Sequence, residues 1–116
     1  MPILYDHAML HPSGYREIDP VRVAEARGTL RVVDVREPAE FVGELGHAPG
    51  AELVPLATLE IAARTWDKEQ EIVLVCRSGV RSARAAHLLA LLGFRWPMNM
   101  LGGMIAWNEV RLGVER

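Results

Sequence analysis

The only cysteine of this chain lies where a reactive thiolate is expected. Cys76 follows the apolar run 72–75 and opens the stretch CRSGVRS, residues 76–82, which leads into a helical pattern. A buried strand would fix the sulfur, and a glycine-containing turn before a helix can aim several backbone N–H groups at it. These donors and the charges of Arg77 and Arg81 predict that the pKa of Cys76 is below that of a free cysteine. We therefore interpret Cys76 as a nucleophile rather than a structural core cysteine.

The composition predicts one globular domain and excludes several kinds of site. The 116 residues are 50% hydrophobic and 24% charged, which is typical of a soluble domain with its own core. A net charge of −2 gives no reason to expect nucleic-acid or membrane binding. One cysteine allows neither an internal disulfide nor a multi-cysteine zinc site, and it leaves no internal resolving thiol. Any group that Cys76 takes up must therefore leave to an outside acceptor.

The first ten residues predict no targeting segment. They lack the basic start and the long apolar stretch of a signal peptide, and no window of the chain approaches the ~18 consecutive apolar residues of a membrane span. The expected location is therefore the reducing cytoplasm, where a free cysteine persists.

No metal site is expected from the histidines. The four of them, His7, His11, His47 and His87, have a spacing that fits no metal-ligand motif. His87 stands among alanines and leucines of a helical pattern, and His47 stands in a turn. We interpret both as residues with local hydrogen bonds.

Strands and helices alternate along the chain, which favours a parallel sheet covered on both faces. We expect a loose leader over residues 1–14, which contain Pro2, Pro12 and Gly14, and a domain over residues 15–116. Predicted strands cover residues 15–18, at an edge of the sheet, and 30–35, 52–54, 72–75 and 98–101. Predicted helices cover 19–27, 37–42, 56–65 and 104–110, and another helix follows the turn 76–82 and ends before Gly93. Because ligands bind at the carboxyl ends of parallel strands, Cys76 and the segment from Asp34 to Arg36 would share one edge of the sheet.

Four segments of the sequence, in this order and spacing, resemble the single-domain rhodanese family of sulfurtransferases. They are residues 32–41 (VVDVREPAEF), 46–51 (GHAPGA), 75–82 (VCRSGVRS) and 101–107 (LGGMIAW). The resemblance spans about Tyr15 to Val114. It implies a rhodanese-like α/β fold, with a five-stranded parallel sheet between helices and Cys76 at the base of a cradle-shaped loop. Residues 43–45 make one loop slightly longer than the family pattern, which bears on the choice of acceptor.

The resemblance also implies a reaction. A cysteine thiolate takes a sulfane sulfur from a donor such as thiosulfate, holds it as a persulfide and passes it to cyanide or a thiol. Cys76 matches the catalytic position, and Asp34 is expected to be a structural support. The residues expected to bind the substrate are Arg77, Ser78, Gly79, Val80, Arg81, Ser82 and Arg36. The implied partners are a small anionic sulfur donor, a thiol or cyanide acceptor and a sulfur-accepting protein, and the chemistry needs no metal or organic cofactor.

Three alternatives remain beside this enzyme. Cysteine phosphatases and arsenate reductases also have a cysteine loop at the start of a helix. Their loops are one residue longer than the segment from Cys76 to Arg81, and the longer loop suits a tetrahedral anion better. A regulatory binding module that has lost the reaction is expected to have replaced Cys76 or the loop arginines. A persulfide carrier loaded by a protein partner would keep all of these residues, so the sequence leaves it open.

Overall fold

The computed structural model describes residues 4–116, and it leaves the side chain of Arg27 undescribed. Within these residues the strands are β1 (Met9–Leu10), β2 (Arg16–Ile18), β3 (Arg31–Asp34), β4 (Glu52–Leu53), β5 (Glu71–Val75) and β6 (Trp96–Met100). The α-helices are α1 (Pro20–Ala26), α2 (Pro38–Phe41), α3 (Leu59–Ala62), α4 (Val80–Leu91) and α5 (Gly103–Glu109). Short 3₁₀ segments cover Tyr5–His7, Arg27–Thr29, Leu56–Thr58 and Ala63–Thr65.

The strands form one six-stranded sheet in the order β1-β2-β6-β5-β3-β4. Strands β2, β6, β5, β3 and β4 run parallel, which confirms the predicted five-stranded parallel sheet. Strand β1 is a sixth strand and pairs antiparallel with β2, with Met9 opposite Glu17. The strand that we expected at the edge of the sheet, residues 15–18, is therefore the second strand from the edge.

Strand β1 comes from the segment that we expected to be a loose leader, and that expectation is wrong for residues 4–14. Leu4 and Tyr5 are buried in the core, and the backbone N–H of Tyr5 donates to Glu71 Oε1 at 2.6 Å. The Arg16 guanidinium lies 4.4 Å from the Tyr5 ring centroid. Pro12 and Gly14 suggested a loose chain, but burial of the apolar residues before them fixes the segment against the sheet.

Helices cover both faces of the sheet, as predicted. Successive strand residues point to opposite faces, so Val73 and Val75 of β5 pack with α1 and α5, whereas Ile72 and Leu74 pack with α3 and α4. Every residue of β5 is buried. This central strand is therefore a rigid support for the residue that follows it, Cys76.

Two predicted elements differ from the structure in their extent. The helix expected over residues 56–65 is a single α-helical turn between two 3₁₀ segments. The last strand begins at Trp96 rather than Met98, and the buried Pro97 pairs with Ile72. Proline has no N–H to donate, which is why the sequence suggested that the strand begins after it. No helix within residues 4–116 is long and apolar enough to cross a bilayer.

Candidate active site

The connection between β5 and α4 surrounds the Cys76 sulfur. β5 ends at Val75, Cys76 is 1% exposed, and α4 begins only four residues later at Val80. Gly79 has a φ of +103°, which side chains with a Cβ rarely adopt. This conformation lets the loop close over the sulfur and begin α4 beside it.

Hydrogen bonds to the sulfur lower the pKa of Cys76. The Gly79 N–H donates to Sγ at 3.1 Å, and Ser82 Oγ lies 3.2 Å from Sγ. Burial raises the pKa of the Cys76 thiol, but hydrogen bonds from the Ser82 hydroxyl and the N–H groups of Ser82, Gly79 and Ser78 outweigh it, so the net direction is downward. The direction agrees with the sequence prediction. The main cause is hydrogen bonding rather than the arginine charges.

The two loop arginines occupy different electrostatic environments. Arg81 forms a bidentate ion pair with Glu40 of α2, at 2.7 and 2.8 Å. The hydrogen bond from Arg81 is the main reason that the pKa of Glu40 falls to about 2, and Glu40 raises the pKa of Arg81 in return. Arg77 is exposed and has no ion-pair partner within the described residues. Arg77 is therefore the loop cation that is open to a ligand, while Glu40 holds Arg81.

The Gly102-Gly103 bend supports the loop from behind. Both glycines have positive φ, and the N–H groups of Met104 and Ile105 donate to the carbonyls of Cys76 and Arg77 at 2.9 and 3.1 Å. A Cβ on Gly103 would overlap the Cys76 carbonyl oxygen. The first turn of α5 thus binds the carbonyls of the loop, which leaves its N–H groups turned toward the sulfur. The two consecutive glycines are visible in the sequence, but their contact with the loop is not.

Asn99 is a site residue that the sequence analysis missed. It is 2% exposed in β6, and its Oδ1 lies 2.6 Å from the Ser82 hydroxyl oxygen. The signal was present, because Asn99 is a lone polar residue between Met98 and Met100 in a buried strand. A buried amide of this kind needs partners, and here the partners belong to the cradle.

Asp34 and Arg36 form a buried ion pair at the end of β3. Arg36 Nε donates to Asp34 Oδ1 at 2.9 Å, and Nη2 donates to Oδ2 at 2.8 Å and to the Gly46 carbonyl at 2.7 Å. The Arg36 side chain is 1% exposed and the Asp34 side chain is 0% exposed. This geometry favours structural support for Asp34, and it commits most of the Arg36 guanidinium to the same support.

An open cavity of about 290 Å³ lies beside the loop. Its polar lining comes from Arg36, Glu40, Glu44 and Arg77, and its other lining residues are Ala39, Gly43 and Leu45. Residues 43–45 are the segment that we expected to be longer than the family pattern. This segment therefore lines the same cavity as Arg77.

Three of the four histidines, His11, His47 and His87, have local structural partners. His11 stacks on Tyr15, His47 stacks on Phe41, and His87 Nδ1 lies 2.9 Å from the Ser13 carbonyl. His47 Nδ1 also lies 2.8 Å from the Phe41 carbonyl, in line with the local hydrogen bond expected in its turn. Among residues 4–116 no group of three or more His, Cys, Asp or Glu side chains is placed to hold a metal ion.

Comparison with known proteins agrees with this geometry. A family model described as the rhodanese-like domain matches residues 19–110. The chain belongs to the rhodanese-like family. A sulfurtransferase from Allochromatium vinosum is 36% identical over 86 residues, which are 74% of this chain and 78% of that protein. Bacillus subtilis YrkF, provisionally named as a sulfur carrier protein, is 37% identical over 80 residues, and the match covers 69% of this chain and 42% of YrkF.

Solved structures of rhodanese-like proteins share the fold. A rhodanese-related protein from Thermoplasma volcanium matches 87% of this chain and 98% of its own, with a TM-score of 0.78 and 28% identity. The human single-domain sulfurtransferase TSTD1 matches 83% of this chain and 97% of its own, with a TM-score of 0.72 and 27% identity. The rhodanese-like domain described here therefore belongs to a family of sulfurtransferases and sulfur carriers.

Proposed function

We propose that this protein is a sulfurtransferase that moves a sulfane sulfur from thiosulfate or a similar donor to cyanide or a thiol through a persulfide on Cys76. The observation that carries the proposal is the position of the Cys76 sulfur. It lies directly after a buried strand, where the Gly79 N–H donates to it and the Ser82 hydroxyl lies next to it. Such donors stabilise the anionic sulfur both in the thiolate and, after a second sulfur atom has been added, in the persulfide. The membership of the family supports the same chemistry.

The proposed reaction has two displacement steps. The Cys76 thiolate attacks the outer sulfur of thiosulfate, the S–S bond of thiosulfate breaks, and sulfite leaves with the bonding electron pair. Cyanide then attacks the outer sulfur of the persulfide, thiocyanate leaves, and the Cys76 thiolate is restored. No proton or electron from another source is needed, so the chemistry requires no general base and no redox partner.

Different loop residues bind different parts of the donor in this proposal. The exposed guanidinium of Arg77 is available to bind the sulfonate end of the donor, while the N–H groups of Ser78, Gly79 and Ser82 face the reacting sulfur. Arg81 supports this arrangement through Glu40 and adds positive charge close to the sulfur. For Arg36 we propose a supporting role through Asp34 and Gly46 in place of direct donor binding.

A persulfide carrier loaded by a protein partner is the second candidate. The cavity beside Arg77 opens to solvent, and Val80 next to the sulfur loop is 68% exposed, so a protein surface has access to this face. The relative YrkF, provisionally named a sulfur carrier, supports the same possibility. Both roles require the reduced thiolate, which is why we propose a cytoplasmic location.

Thiocyanate production tests the proposal. Initial rates of the reduced protein are measured while thiosulfate and cyanide are both varied, with Cys76→Ser as the matched control. We expect turnover with parallel double-reciprocal lines, typical of two displacement steps, and no turnover by the variant. Turnover that survives in Cys76→Ser would rule out the persulfide route. Absence of turnover in the folded wild type would overturn the thiosulfate reaction and favour the carrier.

A further inference from the structure

The hydroxyl of Ser82 lies between two acceptors. Ser82 Oγ is 3.2 Å from Cys76 Sγ and 2.6 Å from Asn99 Oδ1. A serine hydroxyl has one proton, so it can donate to only one of them at a time. Ser82 is 0% exposed and Asn99 is 2% exposed. The competition for this proton therefore takes place inside the protein, away from bulk water.

The orientation of the Asn99 amide follows from its other partners. Asn99 Nδ2 lies 3.2 Å from Glu17 Oε2 and 3.2 Å from the Gly79 carbonyl oxygen. Both of these groups accept hydrogen bonds, so the amide NH₂ must face them and Oδ1 must face Ser82. Asn99 thereby contacts the cradle at two points, the Gly79 carbonyl and the Ser82 hydroxyl.

We propose that Asn99 is a positioning residue for Cys76: its side-chain oxygen competes with the sulfur for the single Ser82 hydroxyl proton and so sets how strongly Ser82 stabilises the anionic sulfur. The inference deepens the proposed function, since it rests on Cys76 being the nucleophile.

The two protonation states of the sulfur satisfy this network differently. With a thiol, the S–H donates to Ser82 Oγ and the hydroxyl donates to Asn99, so every group has a partner. With a thiolate, the hydroxyl either stays on Asn99, which leaves the sulfur one donor short, or turns to the sulfur, which leaves Asn99 Oδ1 unsatisfied. Asn99 thus opposes ionisation of Cys76. Because the nucleophilicity of a thiolate falls with its pKa, this opposition keeps the sulfur reactive.

The charged groups near the sulfur are Arg77, Arg81 with Glu40, and the Asp34–Arg36 pair, with Glu17 behind Asn99. A test that changes only uncharged residues leaves all of them in place. Asn99→Leu removes the competing oxygen while keeping the branched shape and the number of heavy atoms of the side chain, and Ser82→Ala removes the shared proton. The combined variant shows whether the two residues act through the same hydrogen bond.

The measurement is the pH titration of the Cys76 thiolate by its ultraviolet absorbance in the reduced protein, with Cys76→Ser subtracted. We expect Asn99→Leu to lower the midpoint by about one to two pH units, the scale of one hydrogen bond to a charged group. We expect Ser82→Ala to raise the midpoint, and Asn99→Leu to have no effect in the Ser82→Ala background. The control Asn108→Leu, whose amide bonds to the carbonyls of Leu45 and Met104, should leave the midpoint unchanged.

A midpoint that rises in Asn99→Leu, stays unchanged, or shifts equally with and without Ser82 would overturn the proposal. Equal shifts would mean that Asn99 acts on the loop through the Gly79 carbonyl alone. If Asn99→Leu fails to fold, Asn99→Ala is titrated in its place under the same criteria. The titration uses no sulfur donor, so its outcome is distinguishable from a failure of sulfur transfer.

Discussion

Arg81 and Glu40 form a bidentate ion pair between the start of α4 and helix α2, at 2.7 and 2.8 Å. Glu40 is itself fixed, because its Oε1 also accepts the Glu37 N–H at 3.1 Å within a capping box of α2. The pair therefore fastens α2 to the sulfur loop. An anion that binds Arg81 must compete with the Glu40 carboxylate. Arg77 has no ion-pair partner among the described residues, so an incoming anion can bind it without displacing a carboxylate.

This division of charge predicts different kinetic effects for the two arginines. Arg77→Ala should raise KM for thiosulfate by about tenfold, the loss of roughly one charge-assisted hydrogen bond, with little change in stability. Arg81→Ala should in addition lower the stability of the protein, because Glu40 loses its partner. Steady-state kinetics and urea unfolding of both variants provide the test. An unchanged KM for Arg77→Ala would remove this residue from donor binding.

The ion pair also predicts a dependence of stability on acid. The pKa of Glu40 is about 2 in the folded protein and 4.5 ordinarily, so its contribution is complete above pH 4.5 and is lost as the pH falls toward 2. The side chains of Arg81 and Glu40 are 35% and 30% exposed, which limits the contribution to about 1 kcal/mol or less.

Urea unfolding of wild type and Glu40→Gln at several pH values measures this contribution. The wild type should be the more stable protein at pH 7, and the difference should shrink steadily below pH 4.5. A difference that is the same at pH 7 and at pH 3 would contradict the assignment of the low pKa to Glu40.

The sequence was sufficient for the parallel sheet and for the position of Cys76, because both depend on local patterns. The apolar run that becomes β5 and the glycine-containing turn after Cys76 are signals that neighbouring residues carry. The helix on each face follows from the alternation of elements. These features need no knowledge of which distant residues meet.

The features that the sequence did not indicate depend on long-range contacts. Glu40 and Arg81 are 41 residues apart, and Ser82 and Asn99 are 17 apart. The pairing of Tyr5 with Glu71, which fixes the N-terminal segment, spans 66 residues. Only folding brings these groups together, so the partner of Arg81 and the order of residues 4–14 could not be inferred from spacing.

The contact between Gly103 and the sulfur loop predicts a strict requirement for glycine. A Cβ at this position would lie 2.5 Å from the Arg77 carbonyl oxygen, and the φ of +56° already disfavours other residues. We expect Gly103→Ala to lose about 2 kcal/mol or more of stability and to raise the pKa of Cys76 as the loop shifts. Gly113→Ala is the matched control, since nothing lies within 4 Å of its added Cβ.

Calorimetry and thiolate titration of the two variants measure these effects. Gly113→Ala should resemble the wild type in both. Equal stability and equal titration of Gly103→Ala and Gly113→Ala would show that the first turn of α5 does not hold the loop.

The buried pair of Asp34 and Arg36 predicts a large stability effect with a small kinetic one. Asp34→Ala should destabilise the protein by about 3–5 kcal/mol, because it leaves a buried guanidinium without its carboxylate. The double variant Asp34→Ala/Arg36→Leu should lose less than the sum of the single losses. Urea unfolding measures the stabilities, and KM for the donor measures binding. A large rise in KM with unchanged stability in Arg36→Leu would assign Arg36 to donor binding instead.

The most direct test of the persulfide mechanism is the intact mass of the protein after exposure to thiosulfate alone. The reduced wild type should gain the mass of one sulfur atom, and a later addition of cyanide should return it to the original mass. Cys76→Ser should show no gain at either step. A wild type that stays unmodified while folded and reduced, or a sulfur adduct that also forms on Cys76→Ser, would contradict the account.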